Sequence, residues 1–219
     1  ERLWNVTYPV RAGSCRLIMK TGFEDGFSET CVATILKEVL RAIQYLHEKR
    51  MIHNDIRADN ILMDVHGEIK LTGVRQLINL SQNGGYISSV FSLVGDNLEW
   101  SAPEIMSIYS LGITAIELAF NRTPFDDWQP MKILLNKLKY DMPNIKTDKI
   151  FSREFYSFIK ICTQKNPDVR PSASVLLEHP FIKLSKSQKY LETHVVSKVI
   201  SSYREDQEAT LISCNKNDS

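Results

Sequence analysis

Residues 53–60 read His53-Asn54-Asp55-Ile56-Arg57-Ala58-Asp59-Asn60, placing an aspartate and an asparagine five positions apart in a polar stretch. A carboxylate and a carboxamide facing one point are what phosphoryl transfer needs. The Asp accepts or orients the substrate hydroxyl, and the Asn carbonyl holds a magnesium ion. Alone, the octapeptide also reads, with less weight, as a polar loop between a helix and a hairpin, so its neighbours decide.

Upstream, Ser28 is an N-cap candidate, and Val32, Ile35, Leu36, Val39, Leu40, Ile43 and Leu46 recur at three- and four-residue spacing as far as Lys49. That spacing predicts an amphipathic core helix. Downstream, Ile61 to Asp64 and Glu68 to Leu71 read as strands joined by Val65-His66-Gly67, a hairpin spacing. The candidate pair is thus delivered by a helix on one side and a hairpin on the other. A short strand is expected at Leu3 to Thr7, stopped by the Pro and Gly of residues 8–14. Residues 73–100 form a long Ser/Gly/Asn-rich loop, of the kind that carries function in a compact domain. Ile108 to Phe120 is apolar nearly all round, as a central buried helix would be. Further helices are expected at Met131 to Lys139, Ser152 to Cys162 and Ser172 to Leu177, and order should fade in the polar chain after Lys183.

The 219 residues, 43% of them hydrophobic, can build one domain with a sizeable core. Twenty-seven Lys and Arg against 26 Asp and Glu leave a net charge of +1, no footprint for nucleic acid or an anionic membrane. Cys15, Cys31, Cys162 and Cys214 lack metal-site spacing and form no evident disulfide framework. A reducing compartment is therefore expected, cytoplasmic with the nucleus as a second location. No long apolar run precedes or interrupts the domain, so a soluble protein is expected. The chain has no initiator Met and opens inside a strand pattern, as a fragment or partial gene model would.

Further motifs follow in a fixed order: Ala102-Pro103-Glu104, then Asn166-Pro167-Asp168-Val169-Arg170-Pro171, then His179-Pro180-Phe181. With residues 53–60 they resemble the lower lobe of a protein kinase over roughly residues 3 to 184. The resemblance implies a mainly α fold, a kinase-like C-terminal lobe with short β-hairpins and most of the N-lobe missing. Residues 1–14 would be the last N-lobe strand and hinge, 15–184 the C-lobe, and 185–219 a partly disordered tail. Val10 at the hinge and Leu62 beneath the adenine would be the remnants of the nucleotide site. Glu104 and Arg170 would form a structural ion pair, whose half-removal typically costs about 3–5 kcal/mol.

The same alignment implies a broken metal site. Gly73, Val74 and Arg75 stand where the family has Asp-Phe-Gly, and glycine supplies no oxygen for the magnesium. Asn54 replaces an Arg that docks a phosphorylated loop. Arg57 replaces a phosphate-contacting Lys, and the planar guanidinium is no equivalent. Asp55, Arg57 and Asn60 would then be remnants, with no metal bound. Ile105-Met106-Ser107 is short by about a dozen residues, and Ser107 takes the aligned place of an Asp that braces the catalytic loop. The Gly-hydrophobic-Arg triplet, Tyr109 in Ile108 to Thr114, and the Asn166 to Ser174 segment resemble the STE20-related adaptor family, called STRAD. Pro130-Met131-Lys132 is common to active STE20-group kinases.

That resemblance implies a catalytically inactive adaptor that activates a partner Ser/Thr kinase, the liver-type tumour-suppressor kinase. It also implies a helical-repeat scaffold partner, although the Trp-Glu-Phe tail motif is missing. ATP would bind without metal in a full-length protein, and no cofactor is expected for residues 1–219 alone. Two alternatives stand beside it: an active STE20-type Ser/Thr kinase with a metal ligand from elsewhere, and a non-functional truncated fragment.

Overall fold

The computed structural model describes residues 10–74, 77–79, 99–100, 107–140, 143 and 147–202. In chain order these form β1 (Gly13–Ser14), α1 (Cys15–Gly22), α2 (Glu29–Glu48), β2 (Met51–Ile52), β3 (Ile61–Met63), β4 (Ile69–Leu71) and β5 (Ile78–Asn79). Then come α3 (Ser107–Phe120), α4 (Pro130–Lys139), α5 (Arg153–Cys162), α6 (Ala173–Leu177), α7 (Pro180–Lys183) and α8 (Gln188–Leu191).

The long amphipathic helix is α2. Ser28 caps it by accepting from the Cys31 amide, and Val32, Ile35, Leu36, Val39, Leu40 and Ile43 are all fully buried. The apolar run from Ser107 to Phe120 is α3, with every residue buried, so it is the axis about which the other helices pack. Its flanks close with aromatic side chains. Phe155 and Phe158 of α5 lie 5.3 and 5.1 Å from the Phe181 ring of α7. A second cluster of Tyr109, Ile113, Phe125 and Ile133 seats α4 on the other side of α3.

The hairpin is present as expected: β3 and β4 pair antiparallel, Leu62 opposite Lys70. Gly13–Ser14 adds a third strand, with Ser14 opposite Leu62. Alternation buries Ile61 and Met63 and leaves Leu62 half-buried on the other face, while Val10 is half-buried just ahead of β1. Inside the long polar loop, Ile78–Asn79 pairs with Met51–Ile52, a strand pair the sequence pattern does not announce.

Two helices depart from expectation. α1 starts directly after β1, capped by Ser14, and buries Cys15, Ile18 and Met19. The polar tail also stays ordered beyond Lys183. A helical stretch runs from α8 through a π-helical turn (Glu192–Val196) to residue 202. Leu191, Val195, Val196 and Val199 recur at three- and four-residue spacing and are buried in the main core. The expected strand at residues 3–7, the Ala102-Pro103-Glu104 motif, Arg75, residues 105–106 and Cys214 lie outside the described residues. Among the described residues no helix is long and apolar enough to cross a membrane.

Candidate active site

The loop between β2 and β3 carries the candidate chemistry, and α3 holds it from below. Ser107 Oγ accepts from the His53 amide at 3.3 Å, Thr114 donates its hydroxyl to the Ile56 carbonyl at 2.9 Å, and Glu117 Oε2 accepts from the Ala58 amide at 2.9 Å. Three side chains at one end and along one face of a single helix thus fix three backbone groups of one loop. Ser107, the residue at the expected Asp position, does the bracing with a neutral hydroxyl. Asn54 takes a left-handed conformation, φ 57°, which Asn tolerates better than most residues.

Within the loop Asp55 and Asn60 do meet. The Asn60 amide donates to the Asp55 backbone carbonyl at 2.8 Å and to its carboxylate Oδ2 at 2.6 Å. The other carboxylate oxygen, Oδ1, is buried without a hydrogen bond and faces Arg57 Nε at 3.4 Å. The Asp55 amide donates to His53 Nδ1 at 3.3 Å, which assigns the ring proton to Nε2. Burial lowers the His53 pKa, so at neutral pH the ring is neutral. Arg57 also lies over the Trp100 ring, 5.8 Å from its centroid.

Gly73 sits against this pair. The Thr72 amide bonds the Asn60 carbonyl at 2.9 Å, bringing the two segments together. Gly73 adopts φ +90°, and a Cβ there would stand 2.7 Å from Asn60 Nδ2. Glycine therefore does more than omit an oxygen, because the Asn60 amide fills the space a side chain would need. Among the described residues no group of three or more His, Cys, Asp or Glu could hold a metal ion. Asn60 donates through Nδ2 and keeps its Oδ1 on the Gly73 side, but Gly73 itself brings no oxygen, so among the described residues the second ligand of a magnesium ion held in the kinase manner is missing.

Other expected site residues are dispersed. Val74 is exposed at the start of the loop beyond β4. Glu104 lies outside the described residues, so its pair with Arg170 does too. Arg170 is buried, donates to the Gln164 carbonyl at 2.7 Å and the Lys165 carbonyl at 3.3 Å, and stacks over Tyr109.

Glu117 is the residue that sequence reasoning missed. It is fully buried, and besides Ala58 it accepts from the Trp100 indole at 2.8 Å, with Arg16 of α1 3.8 Å from its second oxygen. Burial pushes its pKa up to about 7. Its one signal in the sequence is an acidic residue inside an otherwise apolar helix.

A protein kinase domain model matches residues 6–182. The chain is 40% identical over 210 residues to serine/threonine-protein kinase fray2 of Dictyostelium discoideum, covering 91% of this chain and 20% of that protein. It is 34% identical to serine/threonine-protein kinase 10 of Homo sapiens, covering 87% of this chain and 21% of the relative. Identity is also 34% to germinal center kinase 3 of Caenorhabditis elegans, over 92% of this chain and 38% of the relative. The chain thus spans about a fifth to two-fifths of the relatives' lengths.

These STE20-group relatives overturn the expectation of a non-enzyme, since proteins named serine/threonine-protein kinases share at least a third of the matched residues. That expectation weighed the substitution at Gly73 above the Asp55–Asn60 pair, which the fold keeps. The chain belongs to the protein kinase domain family.

Proposed function

We propose that this chain is the lower lobe of a STE20-group serine/threonine protein kinase in which Asp55 orients the hydroxyl that accepts the phosphoryl group. The observation that carries this is the Asp55 carboxylate. One oxygen is fixed by Asn60 at 2.6 Å, and the other makes no hydrogen bond within the protein and faces only the Arg57 guanidinium, so a hydroxyl that displaces Arg57 finds an acceptor there. Arg57, 3.4 Å from that oxygen, supplies a cation beside the group being transferred. The names of the relatives support the serine/threonine assignment.

ATP is the donor that the family suggests, with Val10 and Leu62 on the lower side of its adenine. Because Gly73 supplies no oxygen for a magnesium ion, we include in the proposal that nucleotide binding by the full-length protein tolerates removal of divalent metal. The test is mass-spectrometric detection of phosphoserine and phosphothreonine after incubating the full-length protein with ATP and a generic protein substrate. New phosphosites that vanish in Asp55→Asn support the assignment, and identical site patterns for both proteins refute it.

A further role in binding a partner Ser/Thr kinase, together with a helical-repeat scaffold, is favoured by the features shared with STE20-related adaptors, Gly73 and Tyr109. It is compatible with catalysis. Co-purification of a second kinase with the tagged full-length protein tests it, and recovery of the protein without one counts against it.

A further inference from the structure

Glu117 lies at the junction of three separate pieces of chain. Its Oε2 accepts from the Ala58 amide in the catalytic loop and from the Trp100 indole at the end of the long polar loop. Its Oε1 is buried with no hydrogen bond. The charged and titratable groups facing it are Arg16 and Cys15 from α1 and Asp59 from the loop. Arg16 stands off at 3.8 Å because its guanidinium is also drawn to Asn121, donating to its carbonyl and its Oδ1 at 3.3 Å. Two N–H donors converging on one oxygen, with the Arg16 cation held at 3.8 Å, favour a carboxylate there and oppose the burial that raises its pKa. A neutral amide oxygen accepts both N–H groups far less strongly.

The second link runs outward. Trp100 presents its ring to Arg57, and Arg57 in turn pairs with Asp55 Oδ1 at 3.4 Å. A shift of Trp100 therefore moves the cation beside the proposed hydroxyl-orienting group, while a shift of Ala58 moves the turn that carries Asn60.

We infer that Glu117 is a positioning residue, which as a carboxylate ties the Trp100 segment and the catalytic loop into one unit and through Arg57 sets the environment of Asp55. This rests on the kinase reading for its catalytic consequence but not for its structural one, so the two can fail separately.

The test uses the full-length protein and Glu117→Gln, which keeps shape and removes charge. Hydrogen exchange at the Ala58 amide, corrected for intrinsic rate, should be about five- to tenfold faster in Glu117→Gln at pH 8. The indole N–H resonance of Trp100, assigned with Trp100→Phe, should shift with pH in the wild type around a midpoint near 7 and be flat in the variant. A merely structural packing role would move neither the titration nor its loss. Phosphoryl transfer, where present, should lose kcat with little change in KM for ATP. Wild-type-like exchange at Ala58 together with a pH-independent Trp100 indole overturns the inference. Absence of any transfer in the wild type with both structural signatures intact refutes the kinase reading and leaves Glu117's role standing.

Discussion

Lys149 should be worth several kilocalories per mole although it lies outside every conventional element. Its ammonium donates to the carbonyls of Asp25, Gly26, Phe27 and Ala119 at 3.0, 3.2, 2.8 and 2.9 Å, closing the loop between α1 and α2 onto the end of α3. Burial lowers its pKa from the ordinary lysine value, opposed by the charge of Asp25. Three N–H protons facing four acceptors make about three charge-assisted bonds, each contributing about 1.5–3 kcal/mol net. Fixing the side chain opposes this by roughly 2 kcal/mol. Lys149→Met keeps the stem and strands the carbonyls, and with each bond at the weak end of that range, as suits a part-exposed group, the balance predicts a loss of about 3 kcal/mol. For a domain of this size that corresponds to a fall in Tm of about 6–12 °C. Thermal melts and urea unfolding of wild type and variant at pH 7 measure it. Lys149→Arg should recover little, because a planar fork cannot converge on four carbonyls. A fall of less than about 2 °C would refute the reasoning, showing those carbonyls to be satisfied equally well by water.

Three other outcomes follow from the same geometry. Glu117 has a folded-state pKa of about 7 against an ordinary value of 4.5, so between those pH values the unfolded chain releases the proton first. The carboxyl therefore contributes stability at low pH that is lost, by roughly 3 kcal/mol, as pH rises from 4.5 to 7, and urea midpoints should show this slope in wild type but not in Glu117→Gln. Thr114→Val leaves the Ile56 carbonyl in the core without its donor and should cost about 1–3 kcal/mol by chemical denaturation. Gly73→Ala forces a side chain onto φ +90° and into the Asn60 amide; it should cost about 1–2 kcal/mol and alter the Asn60 side-chain amide resonances, which an unchanged spectrum would contradict.

What the sequence disclosed depended on how each segment is buried. Helix α2 was legible because its apolar residues keep helical spacing for 20 residues, and α3 because it is apolar all round. Asp55 and Asn60 were legible because both lie in one short loop, whose two ends the helix and hairpin patterns fix. The eight-residue α1 was hidden, since so short a segment has too few turns to display a period, and Ser14 gave its only start signal. The terminal helix was hidden by composition: Glu192, Thr193, His194, Ser197 and Lys198 between Leu191, Val195, Val196 and Val199 lower the average hydrophobicity while leaving the buried stripe intact. Ser107, Glu117 and Lys149 act on partners 54, 59 and up to 124 positions away, and no local pattern encodes such pairings. Gly73 was read as a missing oxygen and not as the space filled by Asn60, because that depends on a backbone conformation.

The kinase assignment is tested most directly by the rate at which the full-length protein transfers the γ-phosphate of ATP to a serine or threonine substrate, compared between wild type and Asp55→Asn. Asparagine keeps the bond from Asn60 within reach but cannot take up a proton, so the account predicts a fall in kcat of about 10²–10⁴-fold with the KM for ATP nearly unchanged. A wild-type rate equal to that of Asp55→Asn would contradict it.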